Sequence, residues 1–139
     1  MLFRSNSKGA EKLAVMPHLS ERSILKIKQI WDKYPDNDGL ALDQMIRSSI
    51  KEDLDSMFII GSNLMLEYPD GAVVKEGLEK LDFLVVADIC ENETTQLADV
   101  VLPLSTWVEY DSSFVNLEGV EQKFKADRKS TRLNSSHRL

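Results

Sequence analysis

With 139 residues, 42% of them hydrophobic and 29% charged, the chain is long enough for one domain with a modest core, and its composition is neither that of a disordered segment nor of a membrane span. Its net charge of −6 argues against a nucleic-acid-binding module. A single cysteine, Cys90, excludes an internal disulfide and, with no charged-then-apolar leader at the start, points to a reducing, cytoplasmic compartment.

In chain order, the apolar stub Met1-Leu2-Phe3 leads into a polar stretch and then a helical turn over 10–15, which Pro17 ends. Ser20 is placed to cap a helix, with Glu21 in its first turn favouring the dipole. Ile24, Ile27, Ile30, Trp31 and Tyr34 recur at helical spacing and predict a face packed against a sheet or its helices. Pro35 stops that helix, and Asp36-Asn37-Asp38-Gly39 forms a turn. Leu42, Met45, Ile46 and Ile50 predict a second short amphipathic helix.

From Met57 the pattern changes to short, wholly apolar runs over 57–60, 83–87 and 99–102, separated by helical spacing. Pro69-Asp70-Gly71 opens the first crossover helix, over about 70–80, and Asn92-Glu93-Thr94-Thr95 caps a short second one. Continuous apolar strands alternating with helices predict a parallel sheet covered on both faces. The expected fold class is therefore α/β, a doubly wound, Rossmann-like sheet with flanking helices, in an incomplete domain spanning 1–126. Residues 127–139 are polar and aperiodic, and with one choice of codons they read as a translated sequencing adapter. They are expected to be disordered and to lie outside the fold.

Ligands of parallel sheets bind at the carboxyl ends of the strands. Gly61, Asn63, Asp88 and Thr94 fall on that edge. Gly61 permits close backbone approach, and Asn63 offers the donor and acceptor that a purine edge needs. Asp88 accepts from a ribose hydroxyl or a guanine amino group, and Thr94 and Thr95 lie near a helix N-terminus, where free amides favour phosphate. A second reading stays open, in which Gly61 and Asn63 serve a turn, Asp88 ends a strand and Asn92 caps a helix. No Gly-x-Gly-x-x-Gly or Walker pattern is present. Cys90 alone, His18 without a partner at ligand spacing, and the pair Glu109 and Asp111 carry no specific signal. No catalytic residue and no metal ligand is assigned.

Four ordered blocks resemble the molybdopterin oxidoreductase family: Phe58-Ile59-Ile60-Gly61-Ser62-Asn63; residues 81–89, from Leu81 to Ile89; residues 92–103, from Asn92 to Pro103; and residues 109–119, from Glu109 to Gly119. Asn6-Ser7-Lys8-Gly9-Ala10 resembles an earlier loop of the same domain. The resemblance implies a dinucleotide-binding domain within a much larger oxidoreductase subunit. In catalytic members that domain helps to hold molybdopterin guanine dinucleotide carrying molybdenum or tungsten. Carried over by motif, Gly61, Asn63, Asp88 and Thr94 are the guanine-dinucleotide contacts. The family's metal-ligating residue and its iron–sulfur cysteines belong elsewhere in the parent subunit.

Three departures stand out. Leu64 replaces the family's usual Pro, Ser112 a usual Gly, and Val120-Glu121 a common Arg-Val pair. Phe114-Val115-Asn116-Leu117-Glu118-Gly119 is most similar to the large iron–sulfur subunit of NADH:quinone oxidoreductases, in which this domain is a vestigial scaffold beside an electron-transfer chain. A formate dehydrogenase-like cofactor-holding domain is the alternative, and a free-standing nucleotide-binding module a third. The implied partners are the remainder of the subunit and other subunits of a respiratory or dehydrogenase complex, held peripherally at the inner face of the plasma membrane. The chain alone is expected to be inactive.

Overall fold

The computed structural model describes residues 6–13, 15–31 and 38–126. The elements in chain order are α1 (Ser7–Lys12), α2 (Glu21–Lys28), α3 (Leu42–Ile50), β1 (Ser56–Ile60), α4 (Leu64–Glu67), α5 (Gly71–Glu79), β2 (Phe83–Asp88), a single 3-10 turn (Thr95–Leu97), β3 (Val100–Pro103), β4 (Ser112–Val115) and β5 (Glu121–Phe124). They fall into two compact units, one of residues 40–106 and one built from the segments on either side of it.

The central unit contains the expected parallel sheet, in the order β1-β2-β3. Ser56 pairs with Phe83 and Ile60 with Ala87, while Val85 pairs with Val100 and Asp88 with Pro103. Side chains alternate across a strand, so Met57, Ile59, Leu84 and Val86 share one face. That face is buried against Val74 and Leu78 of α5, Leu64 of α4 and Ile46 of α3. Burying each such side chain is worth about 1.5–3 kcal/mol. Asp70 starts α5 by accepting from the Ala72 and Val73 amides at 3.1 and 3.3 Å, satisfying donors the helix leaves open. At the other end of the sheet, the Asp99 carboxylate accepts from the Leu84 amide at 2.7 Å, which fixes the start of β2 against the turn into β3.

The opposite face differs from expectation. Phe58 and Ile60 are 57% and 61% exposed, and every residue of β3 is exposed. The strand order advances in one direction, so among the described residues the sheet is wound one way and covered on one face. The uniformly apolar runs fit a two-sided burial of which this unit shows half. Leu64 opens α4, a position where proline is also well accommodated, and it sits 4% exposed in the core. Its apolar volume therefore has a structural use there.

In the other unit, Ser20 caps α2 as expected, its hydroxyl accepting from the Ser23 amide at 3.4 Å. The predicted apolar face is only partly realised. Ile24 and Ile27 are half-buried, whereas Ile30 and Trp31 lie past the end of α2 and are exposed, and Tyr34 and Pro35 fall outside the described residues. Trp31 is therefore not a core residue. The turn expected over 10–15 is instead α1, which starts earlier. Strands β4 and β5 form an antiparallel hairpin that the sequence pattern did not signal. Asn116 closes it, its amide donating to the Val120 carbonyl at 3.0 Å and its side chain accepting from the Val120 amide at 2.9 Å, while Gly119 takes a positive φ of 86°. Phe114 stacks on Phe124 at 5.5 Å, and Trp107 meets Phe124 edge-on at 6.0 Å. The Asn6 side chain accepts from the Val115 amide, so the resemblance block at 6–10 and the one at 109–119 meet here. The adapter-like residues 127–139 lie outside the described residues. Among the described residues, no helix is long and apolar enough to cross a membrane.

Gly77 decides how closely α3 and α5 approach. A Cβ there would lie 2.8 Å from Ser49 Oγ and 3.2 Å from the Ile46 carbonyl oxygen. Gly77→Ala is therefore expected to destabilise the chain by about 1–3 kcal/mol, although alanine is the better helix former by about 1 kcal/mol. Urea unfolding measures it, with the exposed Glu76→Ala as a neutral control.

Candidate functional site

Four segments meet at the carboxyl edge of the sheet: the turn after β1, the start of α4, the end of β2 and the loop before the 3-10 turn. Gly61 leaves β1 with a φ of +59°, a conformation that favours glycine, and its amide donates to the Ala87 carbonyl at 2.8 Å. A Cβ on Gly61 would meet nothing within 4 Å, so the backbone here faces open space. Ser62 is buried and donates to Glu67 Oε2 at 2.9 Å.

Asn63 and Thr94, 31 residues apart, are brought into direct contact. The Thr94 hydroxyl donates to Asn63 Oδ1 at 2.8 Å and accepts from the Met65 amide at 3.1 Å. Asn63 Nδ2 donates to Glu93 Oε2 at 2.7 Å. Thr94 is fully buried, so it holds the two loops together from behind, while Asn63 is half-buried and Glu93 exposed.

Asp88 joins this group through Asn92. Its Oδ2 accepts from Asn92 Nδ2 at 2.7 Å and its Oδ1 from the Ile89 amide at 2.7 Å. Asn92 Oδ1 in turn accepts from the Thr94 and Thr95 amides, both at 3.0 Å, and the Asn92 amide donates to Thr95 Oγ1 at 2.8 Å. The amides expected to face a phosphate are thus turned inward onto Asn92, and the expected short helix is one 3-10 turn. The capping role open to Asn92 in the sequence is the one it takes.

All four candidate residues therefore belong to one patch, in unequal positions. Gly61 and Asp88 border open space, Asn63 stands at the rim, and Thr94 is behind it. Glu93 was missed, because nothing in a lone glutamate signals a bond to a residue 30 positions away. The hydrogen bond from Asn63 and one from its own backbone hold the Glu93 carboxyl below the ordinary range, against a smaller opposing effect of burial. With Asp88 and Glu93 as carboxylates, the rim accepts hydrogen bonds and repels anions. It suits a donor edge, such as the ring N–H and amino group of guanine or ribose hydroxyls, better than a phosphate.

A groove of about 800 Å³ lies elsewhere in this unit, between α3 and the start of α5. Its floor is apolar, from Ile50, Pro69 and Val73. The carboxylate on its wall, Asp43, is taken up by the Tyr68 hydroxyl at 2.6 Å and Arg47 Nε at 2.9 Å. Those two bonds lower the Asp43 pKa, Tyr68 first, and the same contact raises that of Tyr68. Among the described residues, no three His, Cys, Asp or Glu side chains converge in the manner of a metal site.

Thr94→Val removes the hydroxyl and leaves the Met65 amide and Asn63 Oδ1 short of a partner in a part-buried place. It should cost about 1–3 kcal/mol in a denaturant titration, with Thr94→Ser retaining most of the stability. Glu93 and Asp43 both have lowered pKa values in the fold, so each contributes stability that is present above the ordinary carboxylate range and lost as pH falls below it. Tyr68, raised, contributes stability that is present below about pH 10 and lost above it. Because these groups are exposed, each effect is small, and Glu93→Gln should flatten the acid side of the stability profile without altering the alkaline side.

Comparison with known proteins gives this fold a family. Residues 4–131 match the model of the molybdopterin oxidoreductase family. The F420-dependent formate dehydrogenase subunit alpha of Methanocaldococcus jannaschii is 37% identical over 123 residues, which is 83% of this chain and 18% of that protein. An NADH-quinone oxidoreductase subunit of Rhizobium meliloti is 28% identical over 134 residues, 90% of this chain and 16% of the relative. The assimilatory nitrate reductase catalytic subunit of Bacillus subtilis is 30% identical over 103 residues, 72% of this chain and 14% of the relative. The chain thus spans less than a fifth of the length of these relatives, and with its family match running through both units it belongs to the molybdopterin oxidoreductase family.

Proposed function

We propose that residues 1–126 are part of the domain that holds the guanine end of a pterin dinucleotide in a larger, formate dehydrogenase-like oxidoreductase subunit. The carrying observation is the acceptor rim of Asp88 and Asn63 beside the open backbone of Gly61, braced from behind by Thr94. Asp88 has two oxygens, each with one intramolecular donor, and so keeps capacity for a guanine N–H or a ribose hydroxyl. Gly61 lets the nucleotide approach the backbone, and Asn63 lends its amide at the rim. These residues fit a nucleoside end alone. The pterin and its metal, which supply the redox chemistry when bound, would be held by other parts of the subunit, and the iron–sulfur clusters likewise. The higher identity to the formate dehydrogenase alpha subunit supports this assignment.

The second reading, a scaffold in a respiratory NADH:quinone oxidoreductase subunit, has its own support. Asn63 and Thr94 satisfy each other within the chain, which a vestigial site would also do. Under either reading the partners are the rest of the subunit and its complex, in the cytoplasm, against the inner face of the membrane.

Titration with guanosine diphosphate, followed by amide chemical shifts, separates the two. Cofactor holding requires millimolar-range binding with shifts at Gly61, Asn63 and Asp88, lost in Asp88→Ala and weaker for adenosine diphosphate. A site indifferent to both nucleotides at 10 mM (about 2.7 kcal/mol of binding at most) favours the scaffold. The isolated chain should show no electron transfer from formate or NADH to a dye under either reading. Cys90 is its sole cysteine, and a cluster typically takes four thiolates. One molybdenum bound per chain, or dye reduction, would overturn this.

A further inference from the structure

We propose that the groove between α3 and the start of α5 binds a small monocarboxylic acid with an aromatic or branched apolar body, its carboxylate held by Arg47 and Lys51. The groove lies within the unit of residues 40–106 and has a volume of about 800 Å³, within the size range of small-molecule sites. Ile50, Pro69 and Val73 form its floor, with the Tyr68 side chain beside them. None of these residues belongs to the patch at the carboxyl edge of the sheet, so the inference stands apart from the nucleotide reading.

Charge selects the polar end of the ligand. Both carboxylates on the wall are satisfied by the chain itself. Asp43 accepts from the Tyr68 hydroxyl at 2.6 Å and from Arg47 Nε at 2.9 Å. Asp70 accepts from the Ala72 and Val73 amides where α5 begins. The cations keep capacity. Arg47 bonds Asp43 through Nε, which leaves its terminal nitrogens without a partner among the described residues. Lys51 has no hydrogen bond or ion pair among them. These two residues stand one helical turn apart, a spacing at which like charges repel. An anion set between them removes that repulsion and takes a charge-assisted bond from each. A second cation would add to the repulsion. Ile50 directly precedes Lys51, so a short spacer separates the carboxylate of the ligand from its apolar body.

The probe is 4-phenylbutyrate, titrated into the isotope-labelled chain and followed by amide chemical shifts. About a dozen non-hydrogen atoms at ordinary ligand efficiency give a dissociation constant in the low millimolar range. Shifts are expected at Ile50, Lys51, Tyr68 and Val73, and none at Gly61 or Asp88. Lys51→Met should weaken binding about fivefold, with the urea midpoint reporting that the fold is kept. The amine of the same body, 4-phenylbutylamine, should bind about tenfold more weakly than the acid. If Lys51→Met fails to fold, the comparison of acid with amine on the unaltered chain decides alone. No shift at the groove residues by about 10 mM acid overturns the site. Equal binding of acid and amine, or undiminished binding of the acid to folded Lys51→Met, overturns the carboxylate assignment. Far tighter binding of a short peptide ending in a phenylalanine carboxylate overturns the small acid in favour of a protein terminus.

Discussion

A single buried hydroxyl organises the carboxyl edge of the sheet. Thr94 reaches Asn63 Oδ1 and the Met65 amide, and so ties the turn leaving β1 to the loop leaving β2. In a parallel sheet these two loops are separated by a whole crossover helix, and nothing in the ladder itself fixes their spacing. With Thr94 in place, Asn63 is oriented, Glu93 is drawn to its amide, and Asn92 can hold the Thr94 and Thr95 amides on one side and Asp88 on the other. Each member of the group has its partner within the chain. The edge is therefore set before any ligand arrives, as recognition by a rim of few groups requires.

The same sheet has two unlike faces. Beneath it, the approach of α3 to α5 is set by the missing side chain of Gly77, which lets the Ser49 hydroxyl donate to the Ile46 carbonyl at 2.8 Å inside the contact. Above it, large apolar side chains stand in water. A monomer seldom keeps a contiguous apolar sheet face exposed. The apolar runs at 57–60 and 83–87 are of the kind that parallel sheets bury on both faces, and among the described residues one face is covered.

What the sequence made legible was whatever depends on local pattern. The three strands, their parallel sense, the α5 crossover and the Ser20 cap all follow from runs, periods and capping residues within about ten positions. The strand edge carrying Gly61, Asn63, Asp88 and Thr94 follows from the topology in turn. Features that depend on distant partners were hidden. Glu93 gains its place from Asn63, and Thr94 is buried by folding rather than by its own polarity. The hairpin Ser112–Val115 with Glu121–Phe124 escaped because both strands are short and mostly polar, and its two phenylalanines meet only once Gly119 turns the chain. Trp31 misled in the opposite sense. Its helical spacing marked it as core, yet α2 ends at Lys28 and leaves it outside the periodic segment.

The formate dehydrogenase, nitrate reductase and NADH-quinone oxidoreductase relatives bear names of quite different reactions, and yet the same segment aligns in all of them. Under the proposed reading, the segment serves what those proteins share rather than the choice of substrate. In this chain, the candidate edge falls where the sheet topology puts a ligand. It is made of side chains that bond to one another, with acceptors at the rim and no convergent metal donors among the described residues. Such an edge suits the inert end of a cofactor, which has to be gripped and oriented but takes no part in the reaction. Binding energy spent at that end positions the reactive end held elsewhere, so an arrangement of this kind can stay nearly constant while the chemistry around it changes.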